Sequence, residues 1–359
     1  MKILHAYCLN HNLGDYALGF GVKNLLRQYL SVDLIADTNL QGQVFNEYYI
    51  DNVVNKKYDL LVIGGGGIIH GAHWPNGWFW LIDEDLIERI KIPFVVYGAG
   101  YNYFEEEKGI PDVGKSHLKK TIEAAEFFSL RNDESIQRFK DQLGVEVNEV
   151  PDPGFHINLG RSYACKETAP FVLVQLANDK PEFRFGDGGS QDEFVLELRK
   201  AVKKIATRYK VIFAPHVFDD IELCDRVAQG IANTEVWPFS EFAFDHVEEC
   251  LGYYEKAQFV LAMRGHGQIV PVAFNTPVIA LENHPKHGGL MRKLGLPEYS
   301  LPVSLENLSE VLTQRVDLLE SRYADYVGNL KRINEELGAW SERSMKKLGQ
   351  VVRSATETK

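Results

Sequence analysis

The chain has 359 residues, which suggests two domains of ordinary size. Hydrophobic residues make up 45% and charged residues 25% of the sequence, as in soluble globular proteins, so a chain that is disordered throughout is excluded. The 39 Lys and Arg against 50 Asp and Glu give a net charge of −11, which argues against a protein that holds nucleic acid or an anionic membrane through its overall field.

The cysteines and the apolar segments favour a soluble, cytoplasmic protein. The cysteines are far apart and form neither a CxxC motif nor a Cys/His pair at zinc spacing; they are Cys8, Cys165, Cys224 and Cys250. The N-terminus turns polar at Asn10, so it is predicted to be a buried strand rather than a signal peptide. No apolar run reaches the roughly 18 residues of a membrane span. We therefore expect no disulfide framework, no metal site and no transmembrane segment.

Short apolar runs alternate with helical patterns in the first half of the chain. The predicted strands are Lys2–Cys8, Val32–Ala36, Asp59–Ile63, Pro93–Tyr97 and Phe127–Leu130, and the predicted helices are Tyr16–Leu30, Leu118–Glu126 and Asp133–Leu143. Strands that are apolar on both faces and alternate with helices are typical of a parallel sheet covered on both sides.

The alternation restarts after the turn Pro151–Gly154 and a polar linker. The predicted strands are then Phe171–Leu176, Lys210–Ala214, Gln258–Met263 and Val278–Leu281, with helices at Gln191–Arg208 and Gly267–Phe274 and a helical pattern from Ser304 onward. We predict an α/β protein of two Rossmann-like, doubly wound domains, residues 1–158 and 168–318. A helical extension, residues 319–359, is predicted to pack back on the first domain.

Residues 109–116 match the phosphate-loop pattern GxxxxGK[ST]. A working phosphate loop follows a buried strand directly, so that its backbone N–H groups point at the phosphates. Here the acidic stretch 104–108 precedes the pattern, and Asp112 would lie inside the anion cradle. We therefore interpret the segment as an exposed loop before a helix.

The four consecutive glycines Gly64–Gly67 directly follow a predicted buried strand. Glycine in that place lets the backbone approach a ligand or a neighbouring strand closely, so we predict a loop that lines a cleft, with a purely steric turn as the alternative. An aromatic segment follows, which either packs a core or stacks on sugar rings; it contains His70, His73, Trp74, Trp78 and Trp80. Its two histidines lack a third ligand nearby, so a metal pair is not expected.

Asn12 and Asp15 occupy the first strand-to-helix turn. Asp15 is either the N-cap of the following helix or a carboxylate that binds a substrate hydroxyl. Both interpretations place the residue where ligands bind in a doubly wound sheet.

Cationic side chains collect at three other predicted strand ends. Arg131 ends one strand, Arg264 and His266 follow another, and Lys286 lies just past the next. This set suits a small, highly charged anion such as a phosphorylated carboxylic acid. Arginine clamps phosphate or carboxylate with two hydrogen bonds, lysine adds a point charge, and histidine supplies a proton near neutral pH.

Eight short motifs follow one another along the chain: N-x-G-D at 12–15, GGGG at 64–67, GAG at 98–100, S-L-R-x-D at 129–133, V-P-D-P at 150–153, R-x-H-G at 264–267, P-K at 285–286 and L-G-L at 294–296. As an ordered set, they resemble the motifs of the polysaccharide pyruvyl transferase family. The resemblance covers about residues 1–300. The family's usual form of the R-x-H-G turn is R-L-H-G, and Gly265 replaces its leucine here.

The resemblance implies a GT-B-like arrangement of the two domains, with a saccharide acceptor on the first and phosphoenolpyruvate on the second. It implies a transferase that moves a carboxyvinyl unit from phosphoenolpyruvate to a sugar diol of a glycan or polysaccharide precursor, giving a pyruvyl ketal and phosphate. His266 matches the family's general acid. Arg131 and Lys286 match the family's cations that bind phosphoenolpyruvate. Arg264 is predicted to bind it as well, from its place beside His266 at a strand end.

From their places at strand ends, Asn12, Asp15, Gly65 and Gly66 are predicted to line the acceptor side of the cleft. Phosphoenolpyruvate serves as the donor substrate, and no other cofactor and no metal is implied. The chemistry agrees, because protonation of the enol carbon makes its neighbour electrophilic, and a positioned histidine contributes about 10²–10⁴-fold to such a step.

Two other functions fit the same architecture. The first is a nucleotide-sugar glycosyltransferase, since fold alone does not fix function, with Glu282 as the candidate ribose ligand. The second is a non-catalytic carbohydrate-binding protein that uses the tryptophan-rich segment. Retention of Arg131, His266 and Lys286 together argues against this second function.

Overall fold

The computed structural model describes residues 1–71, 74–101, 109–132, 135–160, 163, 167–185, 190–283 and 285–357. Contacts divide the chain into two compact units. Unit 1 comprises Met1–Asn10, Leu18–His156 and Leu337–Lys359, and unit 2 comprises His11–Ala17 and Ile157–Glu336.

In the described part of unit 1, six strands form one parallel sheet. They are β1 (Lys2–Tyr7), β2 (Leu34–Asn39), β3 (Leu60–Ile69), β4 (Phe94–Tyr101), β5 (Phe127–Arg131) and β6 (Asn148–Val150), in the order β2-β1-β3-β4-β5-β6. The first helices along the chain are α1 (Leu13–Tyr29), α2 (Glu47–Tyr49), α3 (Asn55–Lys57), α4 (Asp112–Ala124) and α5 (Ser135–Leu143). A π-helical turn spans Ile50–Val54, and 3₁₀ turns span Glu84–Arg89 and Pro153–His156.

Both faces of the unit 1 sheet are buried in apolar cores. Leu61 and Ile63 of β3 belong to one core, and Leu60 and Val62 belong to the other. Since successive strand residues point to opposite faces, the continuous apolar run of β3 serves both cores.

In the described part of unit 2, six further strands form a second parallel sheet. They are β7 (Phe171–Gln175), β8 (Lys210–Phe213), β9 (Thr234–Val236), β10 (Val260–Ala262), β11 (Val278–Glu282) and β12 (Ser300–Pro302), in the order β12-β11-β10-β7-β8-β9. Its helices are α6 (Pro181–Arg184), α7 (Gln191–Ile205), α8 (Asp219–Ala228), α9 (Phe239–Phe242), α10 (Val247–Lys256), α11 (Gly265–Ala273), α12 (Pro285–Lys293) and α13 (Leu308–Ser321). A 3₁₀ turn spans Pro297–Tyr299.

The last helix, α14 (Tyr323–Glu357), contributes to both units. Its residues up to Glu336 belong to unit 2, and those from Leu337 onward belong to unit 1. In unit 1, Leu348 and its apolar neighbours on the helix enter the same core as Leu60 and Val62.

Two parallel sheets with alternating helices and a C-terminal helix confirm the predicted fold class. Within the described residues, no helix is long and apolar enough to cross a membrane.

Candidate active site around His266

His266 lies where a strand of unit 2 gives way to a helix. Strand β10 ends at Ala262, and α11 begins at Gly265 with Arg264 as its N-cap residue in an extended conformation. The imidazole is therefore carried by the first turn of α11, at the carboxyl end of a buried strand. His266 is half-buried, so a small molecule can reach it.

The first turn of α1 lies directly against His266. A Cβ atom added to Gly14 would be 2.7 Å from Nδ1 of His266 and 3.1 Å from its Cβ, closer than real Cβ atoms approach. The Leu13 N–H donates to the main-chain oxygen of His216 at 3.1 Å, which fixes this turn to unit 2. The N-x-G-D and R-x-H-G motifs, far apart in the sequence, thus lie together in one unit.

Asn12 caps helix α1. Its Oδ1 accepts from the Gly14 N–H at 2.9 Å, and its Nδ2 donates to Asp15 Oδ2 at 3.1 Å. Asp15 sits in the first turn of the helix, so the interpretation of Asp15 as N-cap is wrong. The helix starts at Leu13, three residues before the predicted start at Tyr16, because the Asn12 side chain satisfies a free N–H of its first turn.

The Arg264 guanidinium binds two carboxylates within unit 2. Nε donates to Asp220 Oδ2 at 2.8 Å and Nη2 to Asp220 Oδ1 at 2.6 Å, while Nη2 also contacts Asp179. Burial by itself would lower the pKa of Arg264, but the charges of Asp220 and Asp179 raise it overall. Asp220 is fully buried, so this bidentate pair is a strong restraint on the turn before His266.

Arg184 completes the network. Its Nη2 donates to Asp179 Oδ1 at 2.8 Å. Burial opposes ionisation of Asp179, but Arg264 and Arg184 hold the pKa of its carboxyl below the ordinary value. Two arginines and two aspartates are formally neutral together, so this network does not by itself attract an anion. In this structure Arg264 positions the turn before His266, and its predicted binding of phosphoenolpyruvate stays a prediction.

His216 and Gln175 form the buried side of the site. His216 Nε2 pairs with the Tyr254 hydroxyl at 2.6 Å, and Gln175 Oε1 accepts from the Arg264 N–H at 2.8 Å. Burial, and after it the charges of Arg264 and His266, lowers the pKa of His216 well below its ordinary value. His216 is therefore a neutral residue that holds the first turn of α1 through its main-chain oxygen.

Arg131 belongs to unit 1 and is also paired. It ends β5, is buried, and its Nη1 donates to Asp152 Oδ2 at 3.1 Å. The Asp152 N–H donates to Asn132 Oδ1 at 3.0 Å, and Asp152 Oδ1 accepts from the Gly154 N–H at 2.8 Å. The S-L-R-x-D and V-P-D-P motifs thus meet at one buried ion pair.

The glycine run lies inside strand β3 rather than in a loop after it. Gly64, Gly65 and Gly66 have φ of 137°, 77° and 108°, values that side-chain-bearing residues rarely adopt. A Cβ on Gly64 would collide with the Tyr97 carbonyl, and one on Gly65 would lie 3.2 Å from Val22. The prediction of a loop at these glycines is therefore wrong. The buried glycines are part of a strand, where they allow close packing within unit 1. Acceptor binding by Gly65 and Gly66 stays a prediction.

Some predicted residues lie outside the described part of the site. The backbone of Lys286 belongs to α12, but its side chain is outside the described residues. The side chain of His287 is likewise outside them, and His284 and Asp133 fall outside the described residues altogether. Glu282 ends β11, where its Oε1 accepts from Ser300 Oγ.

Two other sequence motifs serve the fold of unit 1. Lys115 lies in the first turns of α4, where its N–H donates to the Pro111 carbonyl at 2.9 Å. Residues 112–116 of the phosphate-loop match therefore belong to the helix, and only residues 109–111 precede it. Trp78 and Trp80 are fully buried, and Trp78 Nε1 donates to His117 Nδ1 at 3.0 Å. The aromatic segment thus packs a core at these two positions, while His73 lies outside the described residues.

Sequence reasoning missed the residues that hold the site together. Asp179, Asp220, Gln175 and His216 come from four separate places in unit 2 and were not predicted. Gln175 ends β7 and His216 follows β8, so the position of polar residues at strand ends was the available signal. Among the described residues, no group of three His, Cys, Asp or Glu side chains is placed to hold a metal ion.

Comparison with solved structures identifies the fold. The UDP-GlcNAc 2-epimerase of Neisseria meningitidis bound to UDP-GlcNAc is 10% identical, with a TM-score of 0.53 over 100% of this chain and 99% of that one. The UDP-GlcNAc 2-epimerase of Methanocaldococcus jannaschii is 12% identical, with a TM-score of 0.51 over 88% and 92%. The glycosyltransferase SnogD of Streptomyces nogalater is 11% identical, with a TM-score of 0.51 over 97% and 99%. These likenesses show a GT-B-like fold.

Comparison of the sequence identifies the family. A search of curated protein sequences returned no match. The family profile described as polysaccharide pyruvyl transferase matches residues 12–285, which include both motifs that meet at His266. The chain belongs to the polysaccharide pyruvyl transferase family.

Proposed function

We propose that this protein transfers a pyruvyl group from phosphoenolpyruvate to a diol of a saccharide, with His266 as the general acid. The observation that carries the proposal is the contact between the turn at Gly14 and the imidazole of His266. Both belong to motifs of a transferase family, and the contact gives the histidine a fixed place on a half-exposed turn.

The reaction would proceed in three steps. His266 donates a proton to the methylene carbon of phosphoenolpyruvate, which leaves the adjacent carbon electron-deficient. A sugar hydroxyl adds to that carbon, and its proton returns to His266, which regains its charged form. A second hydroxyl of the same sugar then displaces phosphate, and its proton leaves with the phosphate. This step closes the ketal and gives inorganic phosphate as the second product.

The cations are proposed to hold the donor's phosphate and carboxylate. Arg131, which also pairs with Asp152, and Lys286 carry this role. Asn12 and Asp15 are proposed to bind acceptor hydroxyls, because amide and carboxylate oxygens accept hydrogen bonds from them. A cytoplasmic location is part of the proposal, because the described cysteines are buried free thiols.

The nucleotide-sugar alternative loses support from the described residues. It needs a carboxylate for a ribose, and Glu282 was the candidate. Its Oε1 accepts from Ser300, and Arg292 Nη1 lies 3.8 Å away. Both contacts are made by Oε1 and lie within unit 2, so this oxygen already has protein partners.

Calorimetric titration with phosphoenolpyruvate and with uridine diphosphate tests the proposal. We expect binding of phosphoenolpyruvate but not of uridine diphosphate. Arg131→Ala and Lys286→Ala should each weaken phosphoenolpyruvate binding, because removal of one partner of a desolvated charge pair costs about 2–5 kcal/mol. The exposed Arg332→Ala, in α14, is the matched control. Binding of uridine diphosphate alone would contradict the proposal and favour the glycosyltransferase alternative.

A further inference from the structure

Four rings of unit 2, three of them exposed and the Tyr16 ring buried, form a cluster beside the turn that contacts His266. The members of this aromatic cluster are His11, Tyr16, Phe218 and Phe244. The ring centroids of His11 lie 5.5 Å from Phe218 and 6.4 Å from Phe244, and those of Tyr16 and Phe244 lie 6.3 Å apart. Phe218 is 49% exposed and Phe244 60%, so both offer ring faces to solvent although phenylalanine is usually buried.

The backbone at His11 is strained to hold this arrangement. Its φ of 50° lies in the left-handed region, which a side-chain-bearing residue rarely adopts. Strain of this kind persists where the surroundings fix the residue, and it concentrates at ligand sites. Here it places the imidazole of His11 between Phe218 and Phe244.

The surroundings of the cluster are acidic. The segments 11–17, 217–222 and 239–249 contain no Lys or Arg and, besides the buried Asp220 that pairs with Arg264, seven Asp or Glu residues. Burial, and after it the charges of Asp15 and Asp245, raises the pKa of Tyr16, which places these carboxylates near the rings. Such a surface repels phosphate groups and nucleic acids. It suits a neutral ligand with an apolar face and many hydroxyl donors, because aromatic rings pack against the face while carboxylates accept from the hydroxyls.

The cluster is also within a short reach of His266. His11 is three residues before Gly14, so the Cα atoms of His11 and Gly14 are at most about 11 Å apart. Gly14 in turn contacts the His266 imidazole. A saccharide that rests on the rings can therefore extend toward the acid.

We propose that the aromatic cluster binds the saccharide acceptor, with a sugar ring stacked on Phe218 and Phe244. The proposal rests on the proposed function and names its acceptor subsite. It places the subsite in unit 2, whereas the sequence led us to expect the acceptor on the first domain. The three added positions, His11, Phe218 and Phe244, are outside the predicted acceptor set.

Saturation-transfer NMR on the full chain tests this subsite. The probes are methyl β-D-galactoside, methyl α-D-mannoside and the methyl glycoside of N-acetylglucosamine. We expect at least one probe to bind, with its affinity lowered at least about tenfold in Phe218→Ala and in Phe244→Ala. Phe244→Trp should retain binding, since it keeps an aromatic face. Absence of binding by all three probes, or unchanged binding in both alanine variants, would overturn the proposal.

Two controls separate this proposal from the proposed function. Tyr48→Ala removes an exposed aromatic ring of unit 1, 74% exposed, and should leave sugar binding unchanged. Calorimetry with phosphoenolpyruvate on the same variants should give the wild-type affinity. If wild type fails to bind phosphoenolpyruvate, the proposed function fails; if only the effect of the phenylalanine substitutions is missing, the subsite alone fails.

Discussion

At the scale of single residues, the His266 imidazole depends on Gly14 for the space it occupies. An added Cβ would be 2.7 Å from Nδ1, so the ring must move. We expect Gly14→Ala to lower kcat at least about tenfold, because a misplacement of about 1 Å in a catalytic group can cost 10²-fold. Steady-state kinetics of phosphate release from phosphoenolpyruvate measures this.

Gly338→Ala is the matched control for this substitution. A Cβ on Gly338, in α14, meets no described heavy atom within 4 Å. It should leave kcat unchanged and stabilise the protein by about 0.5–1 kcal/mol, since alanine has the higher helix propensity. Equal kinetic losses in both variants would contradict the role of Gly14.

The Arg264 network predicts a stability effect. Arg264→Ala leaves the fully buried Asp220 without its bidentate partner. We expect a loss of about 3–5 kcal/mol in the free energy of unfolding, measured by denaturant titration. Arg264→Lys should lose less unfolding free energy than Arg264→Ala but remain below the wild type, because lysine lacks the planar guanidinium that forms two parallel hydrogen bonds.

Arg292→Ala is the comparison for Arg264. The Arg292 side chain is 61% exposed and lies 3.8 Å from Glu282, so its removal should cost less than about 1 kcal/mol. Similar losses for Arg264 and Arg292 would show that the buried network does not stabilise unit 2.

At the scale of elements, the α14 segment in unit 1 has a stabilising role that can be measured. Leu348 is fully buried in the core that contains Leu60 and Val62. Leu348→Ala should lower the free energy of unfolding by about 2–5 kcal/mol, since it removes buried methyl groups and leaves a cavity. Gln350→Ala, exposed on the same helix, should change it by less than about 0.5 kcal/mol. Equal effects would contradict the packing of this segment.

The alternation of elements could be predicted from the sequence, but several element ends could not. Apolar runs such as Leu60–Ile63 identify buried strands from their composition alone. Strand β3 nevertheless continues to Ile69, because Gly64 and Gly66 pair with Tyr97 and Ala99 of β4. Strand pairing through glycine leaves no apolar pattern to recognise.

The candidate site was predictable only in part for a similar reason. His266 and Arg264 could be found because they follow a strand. Asp220, the partner of Arg264, could not be found, since it lies in the first turn of a different helix and only tertiary structure brings the two residues together. The same holds for Gly14, whose role depends on the distant His266.

At the scale of the whole molecule, histidines whose pKa lies below its ordinary value predict how stability depends on pH; His5 and His156 add to the effect of His216 described above. Burial lowers the pKa of His5 and of His156 from 6.5 to about 4, with Asp37 and Asp152 respectively opposing it. Between these values the unfolded chain binds protons that the folded chain does not, so stability is lost as the pH falls from about 6.5 to about 4. The loss is about 3 kcal/mol for each histidine.

Urea titrations across this pH range measure the effect. In His5→Asn the unfolding free energy should change less steeply with pH. In His246→Gln, at an exposed position, it should change with pH as in the wild type. An unfolding free energy that is constant between pH 4 and about 6.5 would contradict the burial of both imidazoles as neutral groups.

The proposed mechanism requires that His266 protonates phosphoenolpyruvate during transfer to a saccharide. Phosphate release from phosphoenolpyruvate, measured with a panel of galactosides, mannosides and N-acetylhexosamines, tests it most directly. We predict release that requires a saccharide, with a product heavier than the acceptor by pyruvate less one water. In His266→Gln, kcat should fall at least about 10²-fold and the alkaline limb of its pH profile should disappear, while phosphoenolpyruvate still binds. Saccharide-dependent release that survives in His266→Gln, or no release from wild type with any acceptor, would contradict the claim.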